Sequence, residues 1–273
     1  MTEHTERLKA ESEFWDKNIS EMLSDVERAD LQVEDGKFND KLKPQLPFYG
    51  LDKAVKMVVD IFGDLKGKKV LDCGCGNGFM ATVLAKHGAL VTAIDISEKS
   101  VELTRNRALV NGVSDNVNTL VMDFEELEFE DESFDFVVGN FVLHHIEIDK
   151  TGPEIKKVLK PGGKAIFIET SAQNKLLMMA RDCLTGRYGV PKYGTDDEAP
   201  LGLEQTNELN KMFDGKCRLH YPSLVFFRLL SGYISCFKGP TLMRLVYRLD
   251  SATYNIFPGL RRFTYYMIVE LEK

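Results

Sequence analysis

The 273-residue chain lacks the cysteine pattern of a disulfide framework or of a zinc site. Its five cysteines are an odd number without zinc-type spacing, and Cys73 and Cys75 stand in a glycine-rich turn where a bridge between them is geometrically implausible. The charged run at residues 2–7 is unlike the start of a secretory signal peptide. We therefore expect no metal site and a reducing, cytoplasmic location.

Positive charge is also in short supply. Lys and Arg number 35 against 42 Asp and Glu, which gives a net charge of −7. Proteins that bind nucleic acid draw much of their affinity from clustered Lys and Arg, so we expect no nucleic-acid partner. The length and the hydrophobic content of 44% fit one α/β domain with added segments better than two independent domains.

What the chain does have is a glycine turn of unusual spacing. Gly74, Gly76 and Gly78 follow the apolar run 69–71, with Asp72 two residues before the first glycine. Glycines let the backbone lie close against a ligand, and a helix predicted over 79–85 would point its first N–H groups at the turn. The dinucleotide fingerprint is Gly-x-Gly-x-x-Gly, and an aspartate would repel a pyrophosphate. The turn therefore favours a cationic ligand, although the string alone also fits an ordinary strand-to-helix turn.

Acidic and polar residues close the apolar runs that follow. Strands are predicted at 69–71, 90–94, 118–122, 133–140 and 164–169, with a tight turn at 159–163 before the fifth. Asp95 ends the second strand, where a carboxylate can reach a ribose diol. It could instead cap the helix that begins at 98. Asp123 and Phe124 follow the third strand.

In this order of motifs the chain resembles the class I S-adenosylmethionine-dependent methyltransferases, in the small-molecule branch with the ubiquinone and menaquinone methylases. The resemblance covers about residues 45–170. It implies S-adenosylmethionine as cofactor and a Rossmann-like, doubly wound, mostly parallel seven-stranded sheet. By position it implies these contacts: Asp72, Gly74, Cys75 and Gly76 around the methionine part, Asp95 at the ribose, Ile96, Asp123 and Phe124 at the adenine, and Asn140 at the amino-acid portion.

Three regions are predicted from the rest of the pattern, and the acidic residues of the first are interpreted as a solvated face. Residues 1–45 form an acidic N-terminal helical cover, 46–222 with 264–273 form the core, and 223–263 form a helical cap inserted between strands six (217–221) and seven (264–271). Trp15, Phe48 and Tyr49 would line the site if the cover lies over it as in the resembled family; for Trp15, packing of the helix is the alternative. The stretch 181–203 is either a gating loop or a solvated connection.

The insertion 223–263 carries six cations and one acid, Asp250, the reverse of the chain as a whole. Its apolar stretches, 224–230 and 242–249, are too short to span a bilayer. Three roles remain open for it: sealing an apolar substrate pocket, peripheral contact with a membrane, and homodimer formation.

Methyl transfer to a hydroxyl or an acidic carbon also needs a base. His144 and His145 follow the fourth strand, where the family's acceptor approaches, and Glu169 and Tyr49 are further catalytic candidates. We expect methylation of a small, partly apolar metabolite, on oxygen, with a histidine base. The alternatives are carbon methylation of an isoprenoid or quinone-like acceptor, and a cofactor-binding regulatory protein without turnover.

Overall fold

The computed structural model describes residues 3–23, 27–43, 50–184, 199–233 and 240–273. Seven strands form one sheet in the order β3-β2-β1-β4-β5-β7-β6. Every neighbouring pair is parallel except the two that involve β7. The strands are β1 Lys69–Cys73, β2 Leu90–Asp95, β3 Val117–Val121, β4 Phe134–Asn140, β5 Leu159–Thr170, β6 Cys217–His220 and β7 Tyr266–Glu272.

Helices cover both faces of this sheet. Within the described residues they are α1 Glu3–Leu23, α2 Leu51–Phe62, α3 Phe79–Lys86, α4 Glu98–Val110, α5 Ile148–Val158, α6 Lys175–Leu184, α7 Leu203–Met212, α8 Phe227–Tyr233 and α9 Pro240–Ile256. The doubly wound, mostly parallel seven-stranded fold predicted from the sequence is confirmed.

The core consists of two apolar layers, one on each side of the sheet. Successive residues of a strand point to opposite faces, so Val70 enters the layer under α2 and α3, while Leu71 enters the layer under α5. Both residues are fully buried. This two-sided burial explains why the strands read as continuous apolar runs and not as alternating ones.

The turn predicted at 159–163 lies inside β5 and not before it. Phe134 of β4 pairs with Leu159, whereas Phe136 pairs with Lys164, so four residues of β5 bulge out of register. Gly162 has a φ of 74° within this bulge. The Pro-Gly-Gly sequence therefore forms a bulge near the start of β5, an interior strand of the sheet, instead of an isolated turn.

All strands except β7 end at one edge of the sheet, which we call the carboxyl edge. Because β7 is antiparallel, β6 ends and β7 begins there, and the chain between them emerges at that edge. It is held against the end of β5 by two hydrogen bonds: the Ser171 N–H donates to the Tyr265 carbonyl (2.8 Å), and Asn174 Nδ2 donates to the Phe263 carbonyl (2.7 Å).

A fully buried ion pair joins α8 to α9. Asp250 Oδ2 accepts from Arg228 Nε at 2.8 Å, and the two side chains are 0% and 1% exposed. The Asp250 carboxylate also accepts the backbone N–H groups of Phe226, Phe227 and Arg228, which are the first donors of α8. Arg228, counted from the sequence among the cations of the insertion, is thus not available to a partner.

We expect Asp250→Ala to lower the free energy of unfolding by about 3–5 kcal/mol, because Arg228 would lose its buried carboxylate and α8 its cap. Urea denaturation measures this loss. Asp60→Ala is the matched control, since Asp60 pairs with Lys56 on the surface with both side chains more than half exposed. That control should cost less than about 1 kcal/mol. Equal costs for the two variants would contradict this account of the insertion.

Candidate functional site

The glycine turn between β1 and α3 is a left-handed backbone with one open position. Gly74, Gly76 and Gly78 have φ values of 67°, 52° and 73°. A Cβ on Gly78 would lie 2.6 Å from Thr104 Cα, and one on Gly74 would lie 3.0 Å from Val142 Cγ2. At Gly76 the nearest described atom would be 4.0 Å away. The turn therefore packs closely at its two ends and leaves space beside its middle glycine.

Asp72 is a buried carboxyl group with an unpaired oxygen. The residue is 1% exposed, and Oδ2 has no hydrogen-bond partner among the described residues. Burial, reinforced by the negative charge of Asp95, raises the pKa of Asp72 to about 8, against the opposing effect of the Ala81 N–H. Any cation that reaches this buried carboxyl group would stabilise its ionised form.

Asp95 is the second carboxylate, and the backbone holds it. Its Oδ2 accepts the Gly76 N–H and its Oδ1 accepts the Ser97 N–H, both at 2.9 Å. Burial raises the pKa of Asp95 to about 6, while these two N–H groups lower it. The N-cap of α4 is Ser97, whose Oγ accepts the Ser100 N–H at 3.0 Å, so Asp95 is not the helix cap considered as the alternative.

The structure brings the ends of β1 to β4 to the same edge, as predicted. Asn140, at the end of β4, has a buried Oδ1 without a hydrogen-bond partner in the described chain. Asp123 is half-buried and its Oδ1 accepts the Glu125 N–H at 2.8 Å. Ile96 is half-buried, whereas Phe124 is 5% exposed and its ring centroid lies 6.1 Å from that of Phe167.

Cys75 faces the protein interior from the glycine turn. Its Sγ accepts a hydrogen bond from Thr104 Oγ1 at 3.3 Å, and its N–H donates to the Ile94 carbonyl at 2.9 Å. Burial, together with the negative charges of Asp95 and Asp72, raises the pKa of this thiol well above its usual value. The side chain is therefore a protonated, inert packing group, which leaves the backbone of this residue to face the turn.

Glu169, near the end of β5, organises the loop after β4. It is fully buried; Oε1 accepts the N–H groups of Val142 (2.8 Å) and Leu143 (2.7 Å), and Oε2 lies 2.7 Å from His144 Nδ1. Phe141 has a φ of 58°, a left-handed conformation that is uncommon outside glycine and that reverses the chain at this point. Glu169 thus fixes both the loop and the ring of His144.

His145 instead contacts the N-terminal helix. Its Nδ1 lies 3.3 Å from Glu11 Oε1, and its ring meets the edge of Trp15 with centroids 5.7 Å apart. The two histidine rings are neighbours, with centroids 4.2 Å apart. The two histidines predicted as base candidates are therefore adjacent but are held by different parts of the chain.

Helix α1 lies across the loops after β2 and β3. Ser12 Oγ donates to the Ile96 carbonyl (3.0 Å), and Asp16 Oδ1 accepts from Ser97 Oγ (2.6 Å). Arg7 pairs with Glu125 at 2.5 Å. The acidic face of this helix, interpreted from the sequence as solvated, thus includes a carboxylate that binds the start of α4.

Besides Asp95, which accepts the Gly76 N–H, a buried ion pair also holds the glycine turn, and it was not predicted from the sequence. Arg107 of α4 is fully buried; it donates to Asp40 Oδ1 (2.5 Å) and to the Asn77 carbonyl (3.0 Å). Asn77 Nδ2 donates in turn to Asp40 Oδ2 at 2.6 Å. Asp40 is 3% exposed, so the interpretation of the N-terminal acids as a solvated face is wrong for this residue. Sequence offered no signal, because 67 residues separate the two charges.

Some predicted features lie outside the described residues. These are Phe48, Tyr49 and most of the predicted gating loop within 181–203. Within the described ranges, no group of three His, Cys, Asp or Glu side chains could hold a metal ion. None of the described helices is long and apolar enough to cross a membrane.

The strand order with one antiparallel strand, the glycine turn after β1 and the carboxylate after β2 define the class I S-adenosylmethionine-dependent methyltransferase fold. Residues 71–167 match the family model described as "Methyltransferase domain". This match covers about a third of the chain, and the predicted resemblance is confirmed. S-adenosylmethionine is the cofactor of this class, as the resemblance implied.

Two curated relatives match part of the chain. The ubiquinone biosynthesis O-methyltransferase of Coxiella burnetii (strain RSA 493 / Nine Mile phase I) is 38% identical over 104 residues, 38% of this chain and 44% of that protein. The sterol 4-C-methyltransferase strm-1 of Caenorhabditis elegans is 34% identical over 142 residues, 50% of this chain and 42% of that protein. The match thus spans less than half the length of these relatives.

A solved structure matches the fold over almost the whole chain. The geranyl diphosphate C-methyltransferase of Streptomyces coelicolor A3(2), in complex with Mg²⁺, geranyl diphosphate and S-adenosyl-L-homocysteine, aligns with a TM-score of 0.59 at 13% identity. The alignment covers 97% of each chain. At this identity the likeness establishes the fold and leaves the substrate open.

The residues at the carboxyl edge fit S-adenosylmethionine. Its ammonium and sulfonium groups are cations, and Asp72 offers a buried carboxyl oxygen without a partner. Asn140 offers a second unpaired oxygen, and the space beside Gly76 admits a ligand where a Cβ would intrude. A cationic nucleoside would pair with both unpaired oxygens and fill the space beside Gly76.

We expect Asp72→Asn to stabilise the cofactor-free protein increasingly as pH rises. The folded pKa of Asp72, about 8, exceeds the ordinary 3.8, so its favourable contribution is complete below pH 3.8 and lost as pH rises through 8. Asparagine does not titrate. Thermal unfolding at pH 6 and pH 8.5 measures the midpoint difference between variant and wild type, which should be larger at pH 8.5. The same difference at both pH values would contradict the raised pKa.

Proposed function

We propose that the protein transfers the methyl group of S-adenosylmethionine to an oxygen of a small, partly apolar metabolite, with His144 as the general base. One observation carries this proposal: Glu169 holds His144 in a loop that packs directly on the glycine turn. That contact is made by Val142, which lies 3.0 Å from where a Cβ on Gly74 would be. The arrangement would put a base beside the reactive end of the cofactor.

For the cofactor, we assign Asp72 and Asn140 to the cationic amino-acid portion and Asp95 to the ribose hydroxyls. Ile96, Asp123 and Phe124 are assigned to the adenine, and Gly74, Cys75 and Gly76 contribute main chain only. S-adenosylmethionine supplies a methyl group activated by a sulfonium. The protein's share is to align the acceptor with that group and to exclude water.

The base assignment follows from how each candidate is held. A carboxylate on Nδ1 keeps the proton on that nitrogen, which makes Nε2 of His144 the proton acceptor and stabilises the imidazolium that forms. Both oxygens of Glu169 are already engaged, so we assign Glu169 as a positioning residue and not as the base. His145, held by Glu11, is the second choice.

We assign water exclusion to two covers. The insertion between β6 and β7 begins and ends at the carboxyl edge and is tied to the end of β5. Tyr254 of α9 donates from its hydroxyl to the Tyr221 carbonyl at 2.9 Å, which fixes α9 beside that edge. The insertion and α1 together would enclose the acceptor in an apolar pocket.

The domain boundaries at 45, 222 and 263 remain predictions, as do cytoplasmic location and the absence of a nucleic-acid partner.

Cofactor binding should depend on the Asp95 carboxylate. We expect Asp95→Ala to abolish the calorimetric heat of S-adenosylmethionine, because the ribose contact and the Gly76 hydrogen bond are lost together. Asp115→Ala removes an exposed carboxylate and should bind normally. Normal binding by Asp95→Ala would refute the assigned cofactor site.

Turnover should depend on His144. Incubation with methyl-labelled cofactor and fractionated metabolites should yield a product heavier by one methyl group, and His144→Ala should slow its formation by about 10²–10⁴-fold. Cofactor affinity should stay unchanged. Glu169→Gln should shift the pH profile of kcat, since it changes the hydrogen bond to Nδ1. His87→Ala, an exposed histidine, is the control. Full turnover by His144→Ala would remove the base assignment.

Carbon methylation of an isoprenoid or quinone-like acceptor is the second candidate. The names of the sterol and geranyl diphosphate C-methyltransferases favour it, and it would use the same base and pocket. Alkali-stable label on a carbon skeleton would identify it. A regulatory protein that binds the cofactor without turnover would give binding heat but no labelled product from any fraction.

A further inference from the structure

The outward face of α9 and the turn after it form an apolar surface. Six of the twelve large hydrophobic side chains that are exposed in the described chain lie within residues 245–260. They are Leu245 (52% exposed), Leu249 (43%), Ile256 (66%), Phe257 (55%), Leu260 (42%) and Tyr247 (40%). Of these, Tyr247 points away from the outward face, because its ring lies against Arg228 and Lys53. We call this region, with its flanking arginines, the α9 outer surface. Isolated exposed apolar residues are ordinary, but a concentration of this kind indicates a contact surface.

Helical geometry aligns the apolar side chains into a stripe. Leu245, Leu249, Ala252 and Ile256 are spaced by four, three and four residues, which puts them on one face of α9. Ala252 is exposed like the other three. The inward face of the helix carries Val246 and Asp250, which are buried. Packing inside this chain therefore accounts for the inward face of α9 and not for the exposed stripe.

Positive charge borders the stripe. Arg244 and Arg248 on α9 and Arg262 in the following turn are exposed. Residues 240–263 contain a single acid, Asp250, and it is consumed by the buried pair with Arg228. A chain with a net charge of −7 therefore presents a locally cationic surface here. Its partner should be anionic and should also accept apolar side chains.

We propose that the α9 outer surface docks on an anionic lipid bilayer, with α9 lying in the plane of the interface. An amphipathic helix with arginines beside a row of large apolar side chains is suited to the boundary between headgroups and acyl chains. At 17 residues and with charges along its length, α9 lies on the membrane and does not cross it.

Charge also decides between a bilayer and a second copy of the chain. In a two-fold dimer the same surface meets itself, so the three exposed arginines of one copy would face those of the other. The described part of this surface has no exposed acid to offset them. A bilayer with anionic headgroups pairs with the arginines and receives the apolar stripe at the same time.

Docking would bring the carboxyl edge toward the membrane. The hydroxyl of Tyr254, in α9, is bonded to the Tyr221 carbonyl just after β6, and the Asp250 pair ties α9 to α8. The Tyr254 hydrogen bond therefore links this surface to the edge that carries the site. The inference needs neither a known acceptor nor turnover, so it stands or falls separately from the proposed function.

Co-sedimentation with vesicles tests the proposal. The full chain is spun with phosphatidylglycerol–phosphatidylcholine vesicles or with phosphatidylcholine vesicles alone, at low and at high salt. We expect binding to the anionic vesicles that weakens with salt, and at least tenfold weaker binding to the neutral ones. No co-sedimentation with anionic vesicles at low salt would overturn the proposal.

Two variants separate charge from apolar insertion. Arg244→Gln with Arg248→Gln should weaken anionic-vesicle binding about 25-fold, at about fivefold for each arginine. Ile256→Ser with Phe257→Ser should weaken it at every salt concentration. Leu109→Ser with Val121→Ser, exposed apolar residues elsewhere, is the control and should bind like wild type. Unfolding midpoints verify that all variants are folded.

Two results would contradict the assigned surface. One is vesicle binding that all the variants retain. The other is a wild-type dimer in buffer that Ile256→Ser with Phe257→Ser converts to a monomer without any effect on vesicle binding. Sedimentation equilibrium measures the second, and it would assign the α9 outer surface to a second copy of the chain.

Discussion

The buried carboxyl group of Asp72, with one oxygen left unpaired, is the constraint on which the site depends. Removing a carboxylate from water without a partner is costly, and the protein meets this by raising its pKa to about 8. The glycine turn next to it gives a ligand close access, with open space at Gly76. A cation that enters this space would stabilise the ionised carboxylate by charge pairing and so replace the hydration that burial removes. A pyrophosphate in the same space would keep this carboxyl group protonated and would gain no charge pairing from it, so the electrostatics at the end of β1 favour a cationic ligand.

A second buried carboxylate, Glu169, is at the same edge in the opposite condition. Its oxygens accept two backbone N–H groups and face the ring of His144, so nothing remains for a ligand. Two carboxyl groups in one site therefore have different roles, set by their hydrogen bonds. The unpaired oxygen of Asp72 can bind a cationic ligand, whereas Glu169 holds the loop after β4 and the ring of His144 in place. The left-handed backbone at Phe141 is the local strain that this arrangement maintains.

The sheet and the cofactor edge could be predicted because buried parallel strands read as apolar runs and their polar ends collect at one edge. Asp72, Asp95 and Asn140 were assigned to this edge in that way, and the structure places them there, while their contacts with the cofactor remain a prediction. Contacts between distant parts of the chain could not be predicted. In the sequence, Asp40 and Arg107 look like ordinary surface charges. Their ion pair forms only because α4 and the N-terminal segment pack together beside the glycine turn in the folded protein. The sequence counts Arg228 among the cations of the insertion, whereas the structure shows that it forms an ion pair with Asp250, 22 residues further along the chain. The role of Glu169 depends on the pairing of β4 with β5, since its partners lie 25 to 27 residues away.

Proton release on cofactor binding tests the central claim most directly. Calorimetry of S-adenosylmethionine at pH 7, in two buffers with different ionisation enthalpies, reports protons that pass between the protein–ligand complex and the buffer. If Asp72 is protonated in the free protein and ionises when the cation binds, wild type will release a proton to the buffer. The measured heat will then differ between the two buffers in proportion to the difference in their ionisation enthalpies, and Asp72→Asn will lack this difference. Identical proton release in wild type and Asp72→Asn would contradict the claim that this carboxyl group receives the cofactor's charge.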